Sequence, residues 1–245
     1  MAEQSALEGF KAAAARVGVT GSMRVAPLGT KPKNDLKSKY DTDIYRNLGY
    51  LSPDGVTINF DESTQEYIPW QEMTAIRRDI TQSVKTVQVT LWQFTKENAA
   101  MYFGVPGGQI VVNEEDDTWY FDEGGVPEFE HQQVILDVID NNKAMRLTMY
   151  DAQVTERSGL TIKRDEMIGL QITLSGYPAG PEYASAGEDG KSLEGKTNRW
   201  LFSNSWSADG PGDDVNGGDD GDSPSEGQTL ASNLTVPSKE LTPSK

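Results

Sequence analysis

The chain has no cysteine and a single histidine among its 245 residues. Without cysteine there is no disulfide, no thiolate metal ligand and no thiol nucleophile. With His131 alone, a multi-histidine metal site is excluded, and a Ser-His-Asp triad would have to run through that one residue. Basic residues are scarce as well: 22 Lys and Arg stand against 38 Asp and Glu, a formal net charge of −16. Tight phosphate binding needs clustered cations, so a nucleic-acid reader is disfavoured, whereas a surface that repels nearby DNA is not. No apolar run approaches the roughly 20 residues of a membrane helix. The start carries Glu3 and Glu8 and no continuous apolar stretch, unlike a signal peptide. These absences predict a soluble chain, made in a cytoplasm, with no membrane insertion.

What is present is β patterning. The length suits one large β domain, read over residues 1–206, followed by a tail. A chain of this size buries a real core without staples. Residues 1–22 read as an N-terminal arm: Ser5 and Glu8 form a capping box, Leu7, Phe10, Ala14 and Val17 share one helical face, and Gly18 ends it. Met23–Leu28 reads as a strand. Gly29–Gly49 shows no periodicity and is too long for an idle connection. It carries Lys31, Lys33, Lys37, Lys39 and Arg46 against Asp35, Asp41 and Asp43, a local excess of two positive charges. It also holds Tyr40 and Tyr45, which a solvated linker would not need. It is expected to be ordered by contact, for instance with a second copy.

Pro53-Asp54-Gly55 reads as a turn, and Val56–Phe60 alternates as a half-buried strand does. Gln65–Met73 and Thr74–Ile80 are strand-like pieces, with Pro69 marking an edge or a bulge. Val84–Gly104 runs from a strand into one short helix. Val87, Val89 and Leu91 share a face, Thr95 is the expected N-cap, Glu97 suits the first turn, and Gly104 suits the residue past the end. Gln109–Asn113 and Thr118–Phe121 flank Glu114, Glu115, Asp116 and Asp117, a hairpin with an acidic tip. Eight acids and no bases lie between Glu114 and Glu130. His131–Ile139, Met145–Val154 and Met167–Leu174 are strands, the first two joined by Asp140-Asn141-Asn142 turn chemistry. A Gly/Pro-rich loop follows from Gly176 to Gly195, and Asn198–Trp206 closes the domain. Residues 207–245 carry eight acids, two bases and few apolar residues, and are expected to be a disordered acidic tail.

No chemical constellation emerges. Ala186–Ser192 imitates the end of a P-loop, but Ser185 stands where the pattern needs glycine, and Glu188 and Asp189 would repel phosphate. Asp213–Asp222 fits no calcium-loop spacing. Glu114–Asp117 reads as a charged tip rather than a catalytic pair or metal site. The expectation is a protein without catalytic residues, cofactor or metal.

Several stretches resemble the major tail tube proteins of long, non-contractile-tailed bacteriophages, particularly those of actinobacterial hosts. The likeness runs from Trp70-Gln71 through Ile76-Arg77 and the strand after Ser83 to the helix ending Tyr102-Phe103-Gly104. It returns at Tyr150–Pro178, where Arg164-Asp165-Glu166 leads into a strand. The resemblance implies a mainly β fold, a β-sandwich or partial barrel with a flanking α-helix. It implies hexameric rings, stacked into a virion tail tube with a continuous β-barrel lumen. It implies a second copy, tape-measure, tail-tip or baseplate and tail-terminator proteins as partners, assembly in the host cytoplasm, and DNA passing through the lumen without specific binding. Lys31, Lys33, Lys37, Lys39, Tyr40, Tyr45 and Arg46 are then candidate contacts to Glu114, Glu115, Asp116 and Asp117 of a neighbour. Asp137 and Thr148 are candidates to face the lumen. The alternative is a β-sandwich binding module that does not polymerise and presents Trp119 and Tyr120 to a receptor or carbohydrate, or decorates a capsid.

Overall fold

The computed structural model describes residues 14–207. Residues 1–13 and 208–245, which hold most of the helix read at the N-terminus and nearly all of the acidic tail, lie outside the described residues; residues 15–18, read as the end of that helix, are not helical. The first four strands are β1 (Thr20–Ala26), β2 (Arg46–Asn47), β3 (Leu51–Tyr67) and β4 (Arg77–Leu91). Helix α1 (Lys96–Phe103) follows, then the small hairpin β5 (Val111–Asn113) and β6 (Thr118–Tyr120). The remaining strands are β7 (Gln132–Asp140), β8 (Lys143–Arg157), β9 (Leu170–Tyr177) and β10 (Asn198–Phe202).

One antiparallel sheet runs β2-β1-β7-β8-β9-β4-β3, with β10 added along the first half of β8. Its outermost strands, β2 and β3, are joined by only three residues, Leu48–Tyr50. That short link forces the sheet to curl until its ends meet. The Leu48 N–H donates to Met23 O on β1, and Tyr50 O accepts from the Trp92 N–H just past β4. The curl encloses one core from strands at both ends, including Met23, Leu48, Val87, Leu91, Leu136, Met149, Ile172 and Leu174. Burying each such side chain contributes about 1.5–3 kcal/mol. The barrel is partial. A seam of about 920 Å³ stays open between β1 and the start of β3. Pro53-Asp54-Gly55, expected as a reversing turn, is instead a bulge in β3, where the register jumps between the pairs Leu51/Leu91 and Val56/Val89. A bulge bends a strand without ending it.

Helix α1 forms where its caps dictate. Thr95 Oγ1 accepts from the Asn98 N–H, and Gly104 takes a left-handed φ of 68°. Ala99 and Tyr102 face the core, and the Tyr102 hydroxyl donates to Ser158 O beyond the end of β8. The Arg157 guanidinium donates to the Tyr102 and Phe103 carbonyls, which satisfies the helix's last turn. The β7–β8 hairpin turns at Asn141-Asn142, with Asn141 at φ 55°. Among the described residues, no helix is long and apolar enough to cross a membrane.

Candidate assembly interface

The outer face of the sheet divides into two halves. Over β1, β7 and the first half of β8 it is covered by this chain's own loops. Tyr45 is buried with Ala26 and Ile135, and Tyr40 packs edge-on against it at 5.1 Å. Tyr45 donates to Lys31 O at 2.9 Å, and Tyr40 donates to Asp137 Oδ2 at 2.6 Å. Burial first, and then the carboxylate beside it, push the Tyr40 hydroxyl pKa well above its ordinary value. Asp137 also pairs with Arg146 at 2.6 Å and Arg24 at 3.5 Å. The Arg146 guanidinium donates in addition to Asp35 O at 2.6 Å and lies over the Tyr40 ring. The Ser38 hydroxyl, then the backbone N–H groups of Ser38 and Lys37, hold Asp35 down at about 2. A second small core, Tyr150, Ala179, Tyr183, Ala186 and Leu193, seats the loop after β9. Tyr183 donates to Tyr150 O at 2.6 Å and is pushed up to about 12 by burial.

Segment 29–49 packs on its own sheet, with Tyr40 and Tyr45 turned toward it. Asp137 and Thr148 do not face an open surface: Asp137 anchors the loop and Thr148 is 2% exposed beneath it. That face mixes polar and apolar residues, Asp137 and Thr148 beside Ile135, and strand alternation carries no information about what lies on top. Arg46 is half-buried and donates to Asn98 Oδ1 at 2.8 Å. Lys31, Lys37 and Lys39 remain exposed, while Lys33 leans over both tyrosine rings. Glu114, Glu115, Asp116 and Asp117 form an exposed tip turned by Asn113 Oδ1, which accepts from the Glu115 N–H. Among the described residues, no ion pair joins that tip to the lysines within the chain.

The other half of the outer face is open. It spans the second half of β8, then β9, β4 and β3. Cross-strand partners place Asn59, Thr86, Ser175 and Gln153 in one row, and Thr57, Gln88 and Thr173 in the next. Thr90 and Gln171 extend it. Register places Asp61 (opposite Val84), Asp151 (opposite Tyr177) and Glu156 at its ends, and none of the strand residues so placed is Lys or Arg. It has two free edges. β3 ends the strand order, and the β7 ladder reaches β8 only as far as Ala152.

Beyond this patch β3 and β4 continue as a hairpin arm that was not evident in the sequence. Pairing runs to Tyr67/Arg77, and residues 68–76 close the tip. Pro69–Thr74, read as part of two strand pieces, is that tip; the Ile76 N–H donates back to Tyr67 O. Trp70 is 99% exposed and Met73 98%. Phe60, Tyr67, Ile68, Ile76 and Ile80 are also exposed. The usable signal was apolar residues on both faces of two polar, alternating segments around Pro69.

The structure also places the motifs set aside in the sequence. His131 Nδ1 lies 2.6 Å from Asp151 Oδ1 at a strand end. Ala186–Ser192 is a tight turn closed by the Gly187 N–H to Lys191 O. Trp119 stacks on Phe121, while Tyr120 is exposed.

A curled sheet with two free edges, an open face of neutral polar residues edged by acids and an apolar arm defines a class of protein built to associate with other chains. Residues 8–184 match the family model described as phage tail tube protein. The chain belongs to that family and is a structural protein of the tail tube. No curated protein sequence matches it. Among solved structures it is similar to a chain of the sheath–tube complex of an extracellular contractile injection system (PVC), at 11% identity and a TM-score of 0.37, covering 71% of this chain and 93% of that one. It is also similar to a chain of the anti-feeding prophage baseplate, at 8% identity and a TM-score of 0.36, covering 76% and 95%. These likenesses are distant, and the family assignment rests on the sequence match.

Proposed function

We propose that copies of this chain join edge to edge through the β8-β9-β4-β3 patch, the free edge of β3 pairing with the β8 edge of the next copy. Both directions suit an antiparallel join, because the two edge strands of a four-stranded antiparallel patch run oppositely. Such a contact is head-to-tail and closes into a ring, and closure removes edges that would otherwise aggregate. Six copies per ring, stacked rings, and tape-measure, tail-tip and terminator partners follow from the resemblance. The open face then lines the bore. The observation that carries this reading is the composition of that face: threonine, glutamine, asparagine and serine with acids at the ends and no cation. DNA held by phosphate contacts would stall, and a wall without Lys or Arg offers none. The protein works as a conduit rather than as an enzyme. Exposed Lys31, Lys37 and Lys39 meeting Glu114–Asp117 of a neighbour would set register more than affinity.

The test uses the absence of cysteine. Single cysteines at Thr86, Thr173 and Val126 are labelled in tubes verified by electron microscopy. A small maleimide should reach all three, and a bulky polymer-linked maleimide only the exposed Val126 position. Equal bulky labelling at Thr86 and Val126 would remove this face from the bore.

A further inference from the structure

The arm and helix α1 lie at opposite ends of β4: the arm feeds its first residues, and α1 follows its last. Beside α1 is a cavity of about 310 Å³ lined by Ala100, Met101, Val105, Ile110, Val112 and Phe129 together with the charged side chains of Arg46, Lys96, Glu97, Glu128 and Glu130. Its volume is at the low end of sites that enclose a small organic group.

We infer that the arm tip of one copy docks in the α1 cavity of the copy stacked on it, with Trp70 as the inserted side chain. This rests on the tube reading above and names the contact between its rings. Three observations carry it. First, the exposed apolar residues of the arm amount to an area on the order of 1,000 Å², at roughly 200 Å² per large side chain. A lone protein rarely shows more than a few hundred Å² in one patch, whereas one partner's share of a stable interface is about 800 Å². Second, donor and receptor sit at opposite ends of one strand. A contact between unlike surfaces at opposite ends repeats indefinitely, as stacking requires. Third, the chemistry is complementary. Indole Nε1–H is a donor only, and a buried tryptophan needs an acceptor. The cavity lining supplies acceptors, the carboxylates of Glu97, Glu128 and Glu130.

The experiment again uses the cysteine-free background. Copies carrying only Trp70→Cys are mixed with copies carrying only Val112→Cys, allowed to assemble, and oxidised mildly. A disulfide forms only where Cα atoms come within about 7 Å. The expected result is a covalent mixed dimer that appears with assembly, and that a Trp70→Cys/Val126→Cys mixture does not give. In a separate readout without cysteines, Trp70→Ala should raise the critical concentration for assembly at least tenfold, as central tryptophans do at interfaces, and Trp70→Phe by less. Tubes that assemble without the mixed dimer, together with an unchanged critical concentration for Trp70→Ala, would overturn the docking contact and leave the conduit standing. Failure of the unmodified protein to form tubes, even on tail-initiation complexes, would overturn both.

Discussion

Replacing Asp137 by alanine tests the account of the covered face most directly. Its carboxylate holds Arg146, whose side chain is 5% exposed, and accepts from the Tyr40 hydroxyl. Removing it leaves a buried guanidinium with only the Asp35 carbonyl and the face of a tyrosine ring. Breaking a buried pair from one side costs about 3–5 kcal/mol. The surviving carbonyl puts Asp137→Ala near the low end, about 3 kcal/mol. Arg24, more exposed, can turn to water and adds little. For a domain of this size about 1 kcal/mol moves Tm by roughly 2–4 °C, so the expected drop is about 6–12 °C. The assay is thermal unfolding of unassembled protein at fixed concentration, since assembly itself stabilises. Trypsin cleavage at Lys37 and Lys39 should accelerate alongside. An Asp137→Leu/Arg146→Met double variant should recover most of the loss, because an apolar pair leaves no orphaned charge. A single-variant loss under about 1 kcal/mol, or a double variant no better than the single, would refute the reasoning.

Tyr40→Phe should cost about 1.5–3 kcal/mol at neutral pH, as loss of a hydrogen bond to a charged group does. The folded-state pKa of Tyr40 is raised, so the native state disfavours ionisation. Stability should therefore fall as pH rises above about 10, and the variant should show a shallower fall in alkaline melts; an unchanged slope would count against the buried hydroxyl. Gly104→Ala should lose more than about 1 kcal/mol, because φ is left-handed and an added Cβ would sit 2.7 Å from Pro127 and 2.9 Å from Phe129; a melt within about 0.5 kcal/mol of the parent would contradict the cap. Lysines at Thr86, Gln88 and Thr173 should leave tube formation intact yet make tubes retain DNA in a salt-dependent way; tubes that still release DNA at low salt would argue against this face as the bore. Reversing Lys31, Lys37 and Lys39 to glutamate should raise the critical concentration at low salt only, with recovery when Glu114–Asp117 are reversed too; an effect independent of salt would separate the two segments.

The sequence by itself determined the local rules. Period-two apolar patterning placed β7, β8 and β9, because one face of each is buried in the core. Thr95 and Gly104 bounded α1, because cap chemistry is confined to a few adjacent residues. Charge and histidine counts set aside whole classes of chemistry, and stretches of β4, α1, β8 and β9 carried the family likeness that the match over residues 8–184 sustains. Tertiary structure decided what each face meets. Asp137 and Thr148 look like any polar positions on an alternating strand; only the return of segment 29–49 across β7 and β8 buries them. Trp70 and Met73 look like core residues, since apolar side chains are usually inside. Only the length of the β3–β4 hairpin, reaching past the curled sheet, leaves them with nothing of their own chain to cover them. Patterning records which way a side chain points, whereas covering depends on segments about a hundred residues apart in the chain that only the fold brings together, as when Tyr40 meets Asp137 and Asp35 meets Arg146.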